Sequence, residues 1–323
     1  MLIPALALAT ILLSIRPLHA RQVIDPRSGR LFLATTDLSL QAGAVQLELL
    51  RVLETRQRDR GLLGTRWRLN WEVQLIRAGS LVLLGEATGT TTFAQDRAKP
   101  EVFTDLRGGR IIFRKDGRAI RTNPEGTLET FDAEGRLVER DYRNGNTVVL
   151  RYDPQGRLSR IEGPKGIVLQ LVADAEGRLV RIKGSTGATA RYTYEKDHLT
   201  GVQVNGGPTI RYAYGDRGLL TRISDPRTGV IEFSYDAKGR VASRRWADGS
   251  QERYEYGDAA NRVRRIDVSG GVTTTQWSAD GRRVEVTDPL GQKSIQEYDA
   301  AGRVIRVTTP AGQTRFSYDA QGR

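Results

Sequence analysis

The sequence predicts an all-β protein, made of antiparallel strand-turn-strand repeats of about 21 residues that form a spiralling β-sheet. An aromatic residue followed by a polar turn recurs at a nearly constant spacing through the last two-thirds of the chain. Glycine accounts for 35 of 323 residues, which indicates many turns. No segment after residue 21 sustains a helical period free of Gly, so a helical solenoid is excluded.

The first element, residues 1–20, is expected to be a Sec-type bacterial signal peptide. Residues 2–15 form a 14-residue apolar run, which is short for a membrane span but suits a signal-peptide core. Ala20 is the expected last residue before cleavage. An uncleaved anchor and a buried strand remain alternatives, because no basic stretch precedes the run. Cleavage predicts a secreted or cell-envelope protein that is not an integral membrane protein.

The second element, residues 21–110, is predicted to be a β capping module that precedes the repeats. Val45, Leu47 and Leu49 alternate with polar residues, as in a strand with one buried face, and Gly-containing turns separate such strands. A stacked array needs a distinct first unit, and a capping role fits that need.

The third element, residues 111–323, is the repeat array. The aromatic position or its substitute recurs in steps of 20 or 21 residues, at Phe131, Tyr152, Ala173, Tyr194, Tyr214, Tyr235, Tyr256, Trp277, Tyr298 and Tyr318. The fullest copies of the motif read Tyr-Asp-x-x-Gly-Arg-Leu/Val, beginning at Tyr152, Tyr235 and Tyr298. Asp can accept a backbone N–H at the entrance of such a turn, and the Gly supplies a positive φ.

A second turn is expected about ten residues after each first one. Its glycines are Gly145, Gly166, Gly187, Gly207, Gly229, Gly249, Gly271, Gly291 and Gly312. The strand leading into each aromatic alternates, which places pairs such as Tyr254 and Tyr256 on one face. In the other strand Leu158 and Ile161 are three residues apart, which predicts a β-bulge between them.

The template resembles the YD repeat of the Rhs family, which includes polymorphic toxins, insecticidal toxin shells and teneurin-like proteins. The residues that carry the signature are Tyr152, Asp153, Gly156, Arg157, Tyr235, Asp236, Gly239, Arg240, Tyr298, Asp299, Gly302, Arg303, Tyr318, Asp319 and Gly322. Residues 23–29, 36–40, 47–51 and 61–70 resemble the module that opens such arrays, although its Arg-x-Tyr appears here as Arg51-Val52-Leu53. The resemblance implies a hollow β-shell around a C-terminal effector.

Two features of that family have no counterpart in the sequence: the closing core with self-cleaving aspartates and a variable toxin domain. The array ends inside a repeat turn at Gly322. We therefore expect an N-terminal fragment of a longer protein, whose partner is a downstream repeat or effector segment, or another shell-completing protein.

Two functions are compatible with the repeats. The first is a structural shell or scaffold of a secreted or surface protein, without catalytic activity. The alternative is a glycan- or receptor-binding adhesion module at the cell surface, whose contact face would contain Trp246, Trp277, Tyr254 and Tyr256. The orientation of the aromatics distinguishes them, since rings that face the interior are core and an exposed stripe would favour binding.

Catalysis and cofactor binding have little support in the sequence. The absence of Cys excludes a disulfide, a thiolate metal site and a Cys nucleophile, and only His19 and His198 are available for imidazole chemistry. A carboxylate enzyme would draw on the recurring aspartates, but each occupies the turn position where Asp is wanted for local hydrogen bonds. Their spacing also lacks the pattern of calcium β-rolls. We expect no enzyme activity, cofactor or metal.

The formal charge of +12 raises the possibility of a nucleic-acid or anionic-surface partner. Nine arginines, however, follow directly on a turn Gly or Asn of the template. Without them 41 basic residues face 38 acidic ones. The excess is thus largely a by-product of the repeat, and no specific nucleic-acid partner is expected.

Overall fold

The computed structural model describes residues 21–43, 45–56, 59–106, 108–123, 126–142 and 145–319. The expected signal peptide and Gly322 lie outside these residues. The predicted fold class is confirmed, because 59% of the described residues are in strands and 2% in helices, and the strands form a long antiparallel sheet. Two single-turn 3-10 helices, Pro164–Gly166 and Asp258–Ala260, interrupt the strands.

The chain forms two compact units. The first unit contains Leu33–Tyr212, and the second combines Val23–Phe32 with Ala213–Arg323. Each unit therefore contains residues from the amino-terminal region together with part of the repeat array.

The strands before the array are short and irregular in length. They are β1 (Arg21–Ile24), β2 (Leu31–Ala42), β3 (Val45–Glu54), β4 (Arg60–Gly61), β5 (Gly64–Thr65), β6 (Trp67–Leu69), β7 (Gln74–Ala78), β8 (Leu81–Glu86), β9 (Gly89–Gln95) and β10 (Val102–Thr104). Strands β2, β3 and β6 belong to one small sheet, whereas β7 to β10 pair in order and continue into the array. Hydrogen bonding of the long sheet thus begins at Gln74, before the expected boundary at residue 110.

The array strands of the first unit pair in sequence order. They are β11 (Arg110–Phe113), β12 (Ala119–Thr122), β13 (Leu128–Phe131), β14 (Leu137–Asp141), β15 (Thr147–Tyr152), β16 (Leu158–Glu162), β17 (Val168–Ala173), β18 (Leu179–Gly184), β19 (Thr189–Glu195), β20 (His198–Val204) and β21 (Ile210–Tyr214).

The second unit continues the same pattern. Its array strands are β22 (Leu220–Asp225), β23 (Gly229–Tyr235), β24 (Val241–Trp246), β25 (Gln251–Gly257), β26 (Arg262–Ile266), β27 (Val272–Trp277), β28 (Arg283–Thr287), β29 (Lys293–Tyr298), β30 (Val304–Thr309) and β31 (Gly312–Arg315).

The bulge predicted between Leu158 and Ile161 is confirmed. Tyr152 pairs with Leu158 and Arg151 with Arg160, so Ser159 is the extra residue. Its hydroxyl donates to the Arg151 carbonyl oxygen at 3.1 Å. The bulge turns both Leu158 and Ile161 towards the core, where they are 6% and 0% exposed. The same register shift recurs in other repeats.

The turns also follow the predicted chemistry. Gly156, Gly239 and Gly302 have φ values of +76°, +77° and +76°, the left-handed region that favours Gly. In two second turns the positive φ lies one residue earlier than expected, at Gly206 and Gly270. Each of those turns contains two adjacent glycines, and spacing alone could not decide which one takes the positive φ.

Burial is uneven along the array. In the first unit one face of the sheet is apolar and closed, and it includes Leu150, Ile161 and Ile182. In the second unit Phe233, Val241 and Val263 are buried, but no described residue after Val263 is. Residues 264–319 therefore form sheet whose two faces are both partly open.

The part of the chain that the structure describes contains no helix long and apolar enough to cross a membrane.

Candidate functional site

The residues of the repeat motif form a recurring contact between consecutive repeats, which we call the repeat clasp. In the best-defined copy the Arg240 guanidinium donates to the Asp236 carboxylate at 2.7 Å. The same guanidinium lies over the Tyr256 ring, 4.2 Å from its centroid. The Tyr256 hydroxyl donates to the Val241 carbonyl oxygen at 2.7 Å. One motif thus binds the aromatic ring of the next.

Three further copies of the clasp have the same geometry. Arg136, Arg178 and Arg303 pair with their turn aspartates at 2.7 to 2.8 Å and lie 4.6 to 5.1 Å from the next Tyr ring. The hydroxyls of those rings donate to Leu137, Leu179 and Val304 carbonyl oxygens at 2.6 to 2.7 Å. Since each contact contributes about 1 kcal/mol or less, the clasp stabilises the array through repetition.

The turn aspartate is held as a carboxylate. Asp153 accepts the Arg157 N–H at 2.8 Å and the Arg157 guanidinium at 2.7 Å. Burial acts to raise the pKa of Asp153, but these hydrogen bonds outweigh it, so that the pKa lies below its ordinary value. Burial raises the pKa of Tyr152 and of Tyr194, and the nearby turn carboxylate adds to this rise in each case. The Asp153–Arg157 ion pair is therefore fully formed at neutral pH.

Within the first unit, segments that precede the array hydrogen-bond to its turns. The Leu75 N–H donates to the Gly135 carbonyl oxygen at 2.7 Å. The Leu179 N–H, at the start of its bulged strand, donates to Leu62 at 2.7 Å. The Thr65 N–H donates to Asp197 at 2.9 Å. These bonds satisfy backbone groups at the turn end of the hairpins.

A buried ionic group, the Arg51 cluster, connects strands β2, β3 and β6 with array strands β19 and β21. It consists of Asp37, Arg51, Trp67, Tyr192 and Tyr212. The guanidinium of Arg51 contacts both Asp37 carboxylate oxygens at 3.1 Å and donates to the Tyr212 hydroxyl at 3.0 Å. The Tyr192 hydroxyl donates to Asp37 at 2.8 Å. The Trp67 ring lies 4.7 Å from the guanidinium.

The Arg51 cluster is closed to solvent, with the Arg51 and Asp37 side chains 0% and 1% exposed. Burial acts to lower the pKa of Arg51, but the charge and hydrogen bond of Asp37 together with Tyr212 and Tyr192 outweigh it, so that the pKa is raised. Burial, reinforced by Asp37, raises the pKa of Tyr192. Arg51 therefore keeps its charge in the core, and removing either Arg51 or Asp37 would leave the other side chain buried without its partner.

Family comparisons agree with this architecture. The family model described as Teneurin YD-shell matches residues 109–269, and the RHS Repeat model matches residues 257–293 and 298–323. The chain belongs to the YD/Rhs repeat proteins. Residues 21–93 match a Domain of unknown function (DUF6531).

Solved toxin-complex structures are among the similar folds. The crystal structure of TcdB2-TccC3 without its hypervariable C-terminal region has 13% identity, a TM-score of 0.39, and coverage of 90% of this chain and 21% of that chain. A Photorhabdus luminescens Tc holotoxin pore has 12% identity and a TM-score of 0.28, with 90% and 23% covered. The YD/Rhs chain thus spans about a fifth of the length of the solved chains that it matches.

Some YD signature residues take part in complete clasps, and others contact only residues of their own turn or strand. Asp236, Arg240, Asp299, Arg303 and Tyr318 take part in complete clasps. Asp153 and Arg157 pair within their turn, but the next repeat has Ala173 where the ring would be. The Tyr298 hydroxyl instead donates to the Gln296 side chain at 2.7 Å. Asp319 is exposed.

The proposed binding aromatics lie on the same face of the sheet as the core. Tyr256 pairs with the buried Val263, and Trp246 is on the face that includes Phe233. Trp246, Trp277, Tyr254 and Tyr256 are all half-buried. The Tyr254 hydroxyl donates to Glu252 at 2.9 Å, and Tyr256 belongs to a clasp. This placement favours a structural role for these rings.

No sequence motif assigns a role to Asp37, and Arg51 stands out only as part of a departure from the family module. A charged residue within the apolar strand pattern at 45–53 was the available signal, because Arg51 occupies an inward position between Leu49 and Leu53. The turn aspartates accept local backbone hydrogen bonds, as expected. In the described residues no group of three or more His, Asp or Glu side chains could hold a metal ion.

Proposed function

We propose that this YD/Rhs chain is a structural wall module of a secreted or cell-surface protein, which encapsulates or presents a C-terminal effector. The clasp is the observation that carries the proposal, because it uses signature residues such as Asp236 and Arg240 to join consecutive repeats. The matches to the YD-shell and RHS models support it.

A downstream segment or a shell-completing partner is proposed to cover the sheet of residues 264–319. Val286, Val304 and Val307 lie on the face that contains Val263 further up the array, yet each is only half-buried. Partly exposed apolar side chains on a sheet face are typical of surfaces that associate with another segment.

Concentration-dependent association of the purified chain tests this proposal. We expect self-association by light scattering, and we expect Val286→Glu to suppress it because the substitution puts a charge on the apolar face. Thr287→Glu is the matched control, since Thr287 neighbours Val286 but points to the opposite face. A strictly monomeric wild-type chain, or equal effects of the two substitutions, would contradict the proposal.

A further inference from the structure

The outer face of strands β17 to β21, opposite the core, carries a group of cations that we call the basic face. It consists of Arg181, Lys183, Arg191 and Arg211. Lys183, Arg191 and Arg211 are exposed and Arg181 is half-buried. In the described part of the chain none of the four forms an ion pair within 4.0 Å.

Several outer-face cations elsewhere have carboxylate partners, although within the described residues the isolated Arg245 and Arg253 do not. Arg151 lies opposite Arg160, and both contact Glu162, at 3.5 and 2.6 Å. Arg264 pairs with Glu255 across the strands at 2.5 Å. Turn arginines such as Arg136, Arg157 and Arg240 are likewise paired with their aspartates. The basic face is therefore a local excess of positive charge that the repeat does not explain.

The arrangement of these four cations also destabilises the sheet. Arg181 is directly opposite Arg191 in the β18–β19 ladder, and like charges in such a pair repel. The next cross-strand neighbour of Arg191 is Gln203, and that of Arg211 is Gly201, so neither faces a carboxylate. Glu195, at the turn end of β19, is the one acidic residue of this face in the described strands β17 to β21. An external anion would relieve the repulsion.

We propose that the basic face binds an anionic polysaccharide. Arg181 and Arg191 lie about 5 Å apart across adjacent strands, Arg181 and Lys183 about 7 Å apart along one strand, and Arg211 lies two strands beyond Arg191, on an open sheet that suits an extended anionic chain. Gln170, Thr189, Thr193 and Gln203 lie between the cations and can hydrogen-bond sugar hydroxyls. Within the described strands β17 to β20, this face has no Phe, Tyr or Trp side chain on which nucleic-acid bases could stack.

Binding of the full chain to dextran sulfate, measured by calorimetry near physiological salt, tests the proposal. Substituting Arg181, Arg191 and Arg211 together by Gln should weaken binding about tenfold, as expected for three exposed charge contacts. The control substitutes Arg222, Arg264 and Arg306 by Gln, which removes the same charge from outer-face arginines that have carboxylate partners. The control should bind nearly as the wild type does.

Three results would overturn the proposal. Equal weakening by both triple variants would show that only net charge matters. Equal binding of uncharged dextran would remove the role of the cations. Tighter binding of a single-stranded oligonucleotide, lost in the same triple variant, would identify the face as a nucleic-acid surface. Thermal unfolding of each variant shows whether the fold is retained.

Discussion

At the scale of residues, the Tyr hydroxyl of the clasp has one hydrogen-bond acceptor, a backbone carbonyl of the preceding repeat. Tyr256→Phe removes the bond to Val241 and should lower the free energy of unfolding by about 1 kcal/mol. Tyr298→Phe is the control, because that hydroxyl bonds only the nearby Gln296 side chain. Urea unfolding compares the two. If Tyr298→Phe lowers the free energy of unfolding as much as Tyr256→Phe does, the hydrogen bond of the clasp contributes no more to stability than an ordinary side-chain bond.

The turn aspartates make stability depend on pH. The pKa values of Asp153, Asp174, Asp236 and Asp299 lie below the ordinary value in the folded chain. Their stabilisation is complete above the unfolded-state pKa of about 3.9, and it is lost as pH falls from there through the folded pKa values.

The prediction is a decline in unfolding free energy below about pH 4 that becomes shallower when all four aspartates are replaced by Asn. The variant should also be less stable than the wild type at pH 7. Urea unfolding at a series of pH values provides the measurement. Identical pH slopes for the two proteins would show that other carboxylates cause the decline.

At the scale of elements, equivalent turns differ in what surrounds them. Gly135 and Gly156 occupy the same motif position with φ values of +78° and +76°. A Cβ at Gly135 would lie 2.1 Å from the Leu75 carbonyl oxygen, whereas at Gly156 the nearest atom is the mobile end of Arg136 at 3.1 Å. The first turn is thus held against β7, and the second is open.

Gly156→Ala should cost about 1 kcal/mol, the price of a positive φ for an L side chain. Gly135→Ala should cost markedly more, because β7 would have to move and the bond from the Leu75 N–H would be lost. Thermal unfolding of the two variants tests the difference. Similar melting temperatures would mean that β7 does not pack tightly on this turn.

The Arg51 cluster joins elements distant in the chain. Arg51→Ala should destabilise the protein by about 3 to 5 kcal/mol, since it leaves the Asp37 side chain buried without its counter-ion. Arg60→Ala is the control, because the Arg60–Asp197 pair is exposed and such pairs contribute about 1 kcal/mol at most. Adding Asp37→Asn to Arg51→Ala should cost less than the sum of the single losses, and strict additivity in urea unfolding would argue against a coupled cluster.

At the scale of the whole molecule, stability should vary along the array because burial does. In the second unit, β23 and β24 contain the buried Phe233 and Val241, whereas β29 and β30 contain no buried residue. Amide hydrogens of β29 and β30 should therefore exchange faster than those of β23 and β24. Mass-spectrometric hydrogen exchange of the isolated chain measures this, and uniformly slow exchange would contradict the uneven burial.

The sequence alone determined the repeat, its all-β class, the turn chemistry and the bulge at Ser159. These features depend on interactions within one or two repeats, so their signal recurs every 20 or 21 residues and can be read by comparing copies. Part of the clasp could be predicted from the sequence, since several of its members are signature residues. Its pairing of one motif with the next ring became visible only when the strands were placed side by side.

Tertiary structure decided the features that occur once. Tyr192 and Asp37 are 155 residues apart in the chain, and Tyr212 and Arg51 are 161 apart, so no periodic pattern links them. The basic face likewise depends on register, because cross-strand pairing decides which arginines meet a carboxylate and which meet another arginine. Contacts within a repeat can be predicted from its motif, whereas contacts between distant segments depend on the tertiary fold that brings those segments together.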